Sequence, residues 1–143
     1  MGGLGNQLFQ IFTSISYGLK HNFKIVFPYT ETLHTGRTRN TYWDSFLKNF
    51  DVLTTRNNLH RTTNEHLFKF QIHRENGFEY NEIPQINSDT LFYGYFQSYK
   101  YFEQNLPLIF SLLDLSKFQT EIKTKYAELF LDCHVVSMHF RLG

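Results

Sequence analysis

The sequence predicts an α/β layer domain on three observations. A glycine-rich run feeds an apolar-periodic helix, short β-rich runs alternate with helical patterns, and no repeat, linker or low-complexity tract divides the chain. Gly2-Gly3-Leu4-Gly5-Asn6-Gln7 reads as a loop, and Leu8, Phe12, Ile15 and Leu19 follow at spacings of four, three and four, on one helical face. Asn6 is placed to cap the first amides of that helix and Asn22 to end it. Lys24 to Phe27 (KIVF) is a short β-rich run closed by Pro28, residues 29–42 read as an irregular loop, and Trp43 to Phe50 as a short helix. Leu67 to Ile72 alternates like a strand, and Asn76-Gly77 predicts a turn that pairs it with Phe78 to Tyr80 as a hairpin. Thr90 to Tyr93 is a further strand. Ser98 to Leu113 is helical in pattern with an interruption at Pro107. Ser116 and Gln119 form an S-x-x-Q capping box ahead of an amphipathic helix carrying Phe118, Ile122, Tyr126 and Leu129, and His134 to Arg141 reads as a final strand.

Composition narrows the function. The chain has 143 residues, enough for one core, and its 14 Lys plus Arg against 13 Asp plus Glu are dispersed, so no overall field draws nucleic acid. One cysteine, Cys133, supports neither an internal disulfide nor a thiolate zinc site, and reads as a small buried side chain. No apolar run approaches the roughly 20 residues that span a bilayer, so the chain as written reads as soluble and untargeted. Sixteen Phe and nine Tyr against three Pro argue for a folded, aromatic-rich domain.

Two segments could carry chemistry. On the predicted last strand, Ser137, His139 and Arg141 share one face, and Gly143 opens a turn just beyond. A guanidinium fork at the carboxyl end of a strand suits phosphate oxygens, while a solvated edge strand is the plain alternative. The glycine run admits positive φ and close approach of a ligand to a helix amino end, which favours a negative group. It matches neither the dinucleotide fingerprint nor a Walker loop, and a tight packing turn is the competing reading. His60, His66 and His73, six and seven residues apart, fit no metal-ligand spacing. The aromatic run from Phe92 to Phe102 could stack on sugar rings or fill a core, and Arg37 and Arg39 could reach an anionic or hydroxylated ligand or simply be solvated.

Taken together, Gly2-Gly3-Leu4-Gly5-Asn6-Gln7-Leu8-Phe9-Gln10, then Gly94-Tyr95-Phe96-Gln97-Ser98-Tyr99-Lys100-Tyr101-Phe102, then His139-Phe140-Arg141-Leu142-Gly143 resemble, in order, three landmarks of the glycosyltransferase family 11 α-1,2-fucosyltransferases. Thr41-Tyr42-Trp43-Asp44-Ser45-Phe46 is similar to a stretch found in part of that family. The resemblance implies a Rossmann-like N-terminal domain of a GT-B-type glycosyltransferase. Such an enzyme transfers L-fucose from GDP-β-L-fucose to the 2-hydroxyl of a galactoside acceptor glycan with inversion, needing no metal and no cofactor beyond the donor. By the same resemblance Arg141 contacts the diphosphate and offsets charge on the leaving GDP, and His139 supports the donor or orients the fucose. Gly3, Gly5, Asn6 and Gln7 then wall the donor side of the cleft.

The resemblance also implies an incomplete enzyme. The family motif continues with Asp and Tyr where this sequence ends at Gly143, and the glycine loop usually follows a strand where only Met1 precedes Gly2. Residues 1–133 are then the acceptor-side domain and 134–143 the first strand and motif of a missing C-terminal donor domain. The expectation is a fucosyltransferase fragment with little or no activity alone. Asp44 and Glu103 lie in family-like segments, but their spacing selects neither as a general base. The chain as written is expected in the cytoplasm, with membrane or Golgi association if an upstream anchor is missing. A different class of function, a non-catalytic carbohydrate-binding or interaction module derived from the family, rests on the aromatics and loop arginines. A generic phosphate-binding α/β domain is the third reading.

Overall fold

The computed structural model describes residues 2–34, 36–57, 62–131, 134–136 and 138. They form a small mixed α/β structure with helices and two two-stranded sheets. Two compact units are present, residues 1–113 and 114–143.

The first unit opens on helix α1, Leu4–His21. It starts earlier than the apolar period suggests. Gly3, in extended conformation, is the N-cap, so Gly5, Asn6 and Gln7 lie in the first turn and Asn6 does not cap. Gly2 alone of the three glycines has a positive φ, +78°, and a Cβ there would collide with the Asn6 side chain. That contact explains why the turn before α1 needs glycine. Asn22 ends the helix as expected, in the left-handed region at φ 55° with its N–H on the Gly18 carbonyl. The buried face of α1 carries Ile11, Phe12, Ile15 and Gly18, whereas Leu19 is exposed. The packing stripe is therefore rotated from the predicted one. Gly18 sits there because a Cβ would strike Ile25 on the returning chain.

After α1, the run Lys24 to Phe27 forms no ladder of its own. Phe27 makes one parallel bridge to Thr54: its N–H donates to the Leu53 carbonyl and its carbonyl accepts from Thr55 N–H. Two short strands, β1 (Thr32–Leu33) and β2 (Arg39–Asn40), pair antiparallel inside the segment predicted to be irregular. The helix expected over 43–50 is instead a set of turns leading into a 3₁₀ segment, Lys48–Leu53, that ends where Thr54 N–H bonds the Asp51 carbonyl. Helix α2, Asn64–Leu67, ends on the first residue of the run predicted as a strand, with Thr63 accepting from His66 N–H as its N-cap.

Strand β3 (Gln71–Arg74) pairs parallel with β4 (Thr90–Tyr93) in the register Gln71 to Thr90 through Arg74 to Tyr93. This corrects the predicted hairpin. Asn76-Gly77 does bend the chain, with Gly77 at φ +80°, but Phe78 to Tyr80 forms no strand and Phe78 is 82% exposed. The partner of β3 comes from residues 90–93, where the strand was predicted, and two chain segments running the same way need a long connection. Pro107 does not interrupt a helix either. Two 3₁₀ turns, Tyr99–Tyr101 and Glu103–Asn105, precede α3 (Leu106–Leu113), and Pro107 lies in its first turn, where a missing N–H costs nothing.

The core of this unit joins α1 to α3 and to the 3₁₀ segment. Phe12 meets Phe102 and Phe110 edge-on at 5.5 and 6.0 Å, while Leu47, Phe50, Ile109 and Leu113 are buried alongside. Asn105 donates to Ser16 Oγ at 2.9 Å and Asn49 to the Leu113 carbonyl at 3.3 Å, satisfying polar groups within the packed region. Tyr17 straps the irregular 84–86 stretch to α1, donating to the Pro84 carbonyl and accepting from Ile86 N–H.

The second unit contains α4 (Ser116–Lys125) and a 3₁₀ turn, Ala127–Phe130. The capping box does not form: Leu115 is the N-cap and Ser116 Oγ donates to Asp114 instead. Of the predicted last strand, the described residues His134, Val135, Val136 and Met138 are not in a strand, and Ser137, His139, Phe140 and Arg141 lie outside the described residues. Cys133 also lies outside them.

Candidate functional site at the amino end of α1

Residues from two of the segments that carry the resemblance, 2–10 and 94–102, meet at the start of α1 together with Asn40, just before the segment 41–46. Gln7, only 5% exposed, donates from Nε2 to the Gly2 carbonyl at 3.1 Å and to the Asn40 carbonyl at 2.8 Å. One side chain thereby fixes both the glycine turn and the end of β2. Asn6 accepts from Gln97 Nε2 at 2.7 Å, a contact spanning 91 residues. Phe9, three residues further along α1, packs on Phe102 at 5.8 Å. The first turn of α1 is thus bordered by Asn40 on one side and by Gln97 on the other.

The Gly94–Ser98 segment is held from behind by Glu75, which belongs to none of the motifs in the sequence. Glu75 Oε2 accepts the backbone N–H groups of Tyr95 at 2.7 Å and Phe96 at 2.8 Å, and Glu75 N–H donates to the Tyr93 carbonyl. A carboxylate holding two adjacent amides fixes the turn leaving β4. Phe96 takes a left-handed conformation there, φ 52°, with its ring almost wholly buried. A Cβ on Gly94 would collide with Glu75, so Gly94 makes room for this anchor. No local sequence signal marks Glu75, because its partners lie about 20 positions away and are reached only through the parallel pairing of β3 with β4.

Gly3 and Gly5 face open space, with nothing within 4 Å of where a Cβ would sit. The backbone of the first helical turn is therefore approachable, and its unpaired amides favour a negative or strongly polar group. Of the predicted site residues, the structure brings Gly3, Gly5, Asn6 and Gln7 together, and Gln7 proves to be a buried positioning residue. His139 and Arg141 lie outside the described residues.

Of the two carboxylates that the family-like segments offer, Asp44 is engaged: it accepts from Arg56 Nη1 at 2.7 Å and from the Tyr29 hydroxyl at 3.3 Å. Arg56 also bonds Asp51 and lies over the Tyr29 ring at 4.2 Å. Two carboxylates hold the guanidinium charged, pushing its pKa further up. Desolvation raises the Tyr29 phenol above its ordinary 10.0, opposed by Arg56 and reinforced by Asp44. The cluster is a surface network in which Asp44 is paired with Arg56 and Tyr29. Glu103 is exposed, in the second 3₁₀ turn before α3. His66 is exposed in α2 and His73 packs on Phe92 at 5.6 Å, while His60 lies outside the described residues.

No protein-family model, no curated protein and no solved structure matches the chain. Among the described residues, no helix is long and apolar enough to cross a membrane.

Proposed function

We propose that the chain is the acceptor-side, Rossmann-like domain of a GT-B-type α-1,2-fucosyltransferase, and that the surface at the amino end of α1 borders the sugar-transfer cleft. The observation that carries this reading is the meeting of Gly2–Gln7, Asn40 and Gln97 around one helix end, since these lie in or beside the segments that resemble the family. In the proposed reaction the galactoside 2-hydroxyl oxygen attacks the fucose anomeric carbon from the face opposite GDP, and its proton passes to solvent. The bond to the β-phosphate oxygen breaks with its electron pair on GDP, and the configuration inverts from β to α. Arg141 offsets the charge on the departing diphosphate, His139 supports the donor, and Gly3, Gly5 and Asn6 present backbone and amide groups to it. GDP-fucose is the donor substrate and no metal takes part. A donor-binding domain is the partner this reading requires, so the chain alone gives little or no transfer. The proposed compartment is the cytoplasm for the chain as written, and a Golgi membrane where an upstream anchor is joined to it.

The reading is tested by saturation-transfer NMR with lactose and, separately, cellobiose. The galactose ring of lactose should receive saturation and cellobiose should not. Equal transfer to both sugars, or none at millimolar lactose, overturns the acceptor-side reading. Released GDP from GDP-fucose and lactose should stay at background, and turnover of about 1 s⁻¹ or more, ordinary for enzymes, contradicts inactivity of the chain alone.

A further inference from the structure

Asn76-Gly77 is the one Asn-Gly pair in the sequence, and it bends the chain just after β3. Both residues are exposed, Gly77 has φ +80°, and nothing lies within 4 Å of where a Cβ on Gly77 would sit. Among the described residues the one hydrogen bond made by this pair runs from Asn81 Nδ2 to the Asn76 carbonyl, at 3.0 Å. The Asn76 carboxamide and the Gly77 N–H are left facing water, and glycine adds no side chain to hinder their approach to each other.

Those two groups are the reactants of an intramolecular condensation. The Gly77 amide nitrogen attacks Asn76 Cγ, the bond from Cγ to Nδ2 breaks, and ammonia leaves with the proton that Gly77 N–H gives up, closing a five-membered imide. Water then opens the ring. Hydrolysis at the γ-carbonyl gives aspartate, whereas hydrolysis at the α-carbonyl gives isoaspartate, in which the chain runs through Cβ and Cγ and the former α-carbonyl is a free carboxylate. The residue immediately upstream is Glu75, whose carboxylate holds the Tyr95 and Phe96 amides and whose N–H holds the Tyr93 carbonyl. An isoaspartate backbone is one carbon longer at this point and sets a new negative charge beside that carboxylate. It also changes the acceptor gripped by Asn81, which ties the loop together by donating to the Glu79 carbonyl at 3.0 Å and, from its N–H, to the Tyr101 hydroxyl at 3.1 Å.

We propose that Asn76-Gly77 is a self-modifying site, which converts through the cyclic imide to isoaspartate without an enzyme and so loosens the hold of Glu75 on the Tyr95–Phe96 turn. Gln97 follows that turn and donates to Asn6, so the change is passed on to the amino end of α1. The first unit thereby carries a timer set by the age of the molecule. This inference does not depend on the fucosyltransferase reading.

The test ages the full chain in warm, mildly alkaline buffer and samples it over days. Peptide mapping by mass spectrometry, with electron-transfer fragmentation to tell isoaspartate from aspartate, should show amide-to-acid conversion at Asn76 running several-fold ahead of that at Asn87, an exposed Asn followed by Ser88. Isoaspartate should be the main product. Amide exchange at Tyr95 and Phe96, followed by NMR on the same samples, should quicken by about tenfold in the converted fraction, the direction expected of Glu75→Gln. Asn76→Gln, whose imide would need a six-membered ring, should hold both readings at their starting values. The proposal is overturned if Asn76 converts no faster than Asn87, if aspartate forms without isoaspartate, or if conversion leaves exchange at Tyr95 and Phe96 unchanged. The same quickening of exchange in aged Asn76→Gln overturns it too.

Discussion

Helices α1 and α4 have comparable apolar spacing in the sequence and opposite fates in the structure. In α1, seven residues are buried, and the rings of Phe12, Phe102 and Phe110 interlock. In α4 no residue is buried, and Phe118 and Ile122 are 40% and 53% exposed. Periodicity tells which side chains share a face, but burial needs a surface brought in from elsewhere in the chain, which Phe102 and Phe110 supply to α1. The stability of the structure should therefore be concentrated in the first unit.

The largest effect that can break this contrast is Phe12→Ala. Losing a fully packed ring should cost about 3–5 kcal/mol in urea denaturation, against under about 0.5 kcal/mol for Phe118→Ala. Equal losses would mean that α4 carries as much packing as α1. Next comes the anchor behind the Tyr95–Phe96 turn. Glu75→Gln keeps the shape but replaces one strong acceptor of two amides, at a cost of about 1–3 kcal/mol, and the Tyr95 and Phe96 amides should exchange faster. Glu79→Gln, on the exposed loop, serves as the neutral comparison.

Smaller effects come from titration. Desolvation raises the Tyr101 phenol above 10.0, so the folded state holds its proton more tightly than the unfolded chain does. Its contribution is fully present below pH 10, and stability falls as pH rises beyond that, because the unfolded phenol ionises first. Tyr101→Phe should flatten the alkaline limb of a pH-stability curve. In the surface cluster, Arg56→Ala removes the charge that lowers the Tyr29 pKa, so the phenol should titrate still higher while stability changes little. Phenolate absorbance follows both groups.

The legible parts of the fold are those decided by near neighbours. Strand Thr90–Tyr93 and the left-handed Asn22 cap are where local chemistry puts them, because β-rich residues and an Asn tolerant of positive φ act over a few positions. The features that sequence patterns miss depend on distant partners. Asn76-Gly77 indicates a turn but cannot say whether residues 71–74 pair with the next segment or with 90–93. Lys24 to Phe27 has the composition of a strand, yet only Phe27 finds a partner. The segments at the candidate site were legible as a resemblance, whereas their meeting through Gln7, Asn40, Asn6 and Gln97 and the support from Glu75 were not.

The most direct measurement of the proposed cleft is an amide NMR titration of the full chain with GDP-fucose. The account predicts that shifts cluster at Gly3, Gly5 and Asn6, at Asn40 and at Gln97 together, because these positions border one surface. Saturating shifts confined to α4 would contradict it, as would none up to millimolar GDP-fucose.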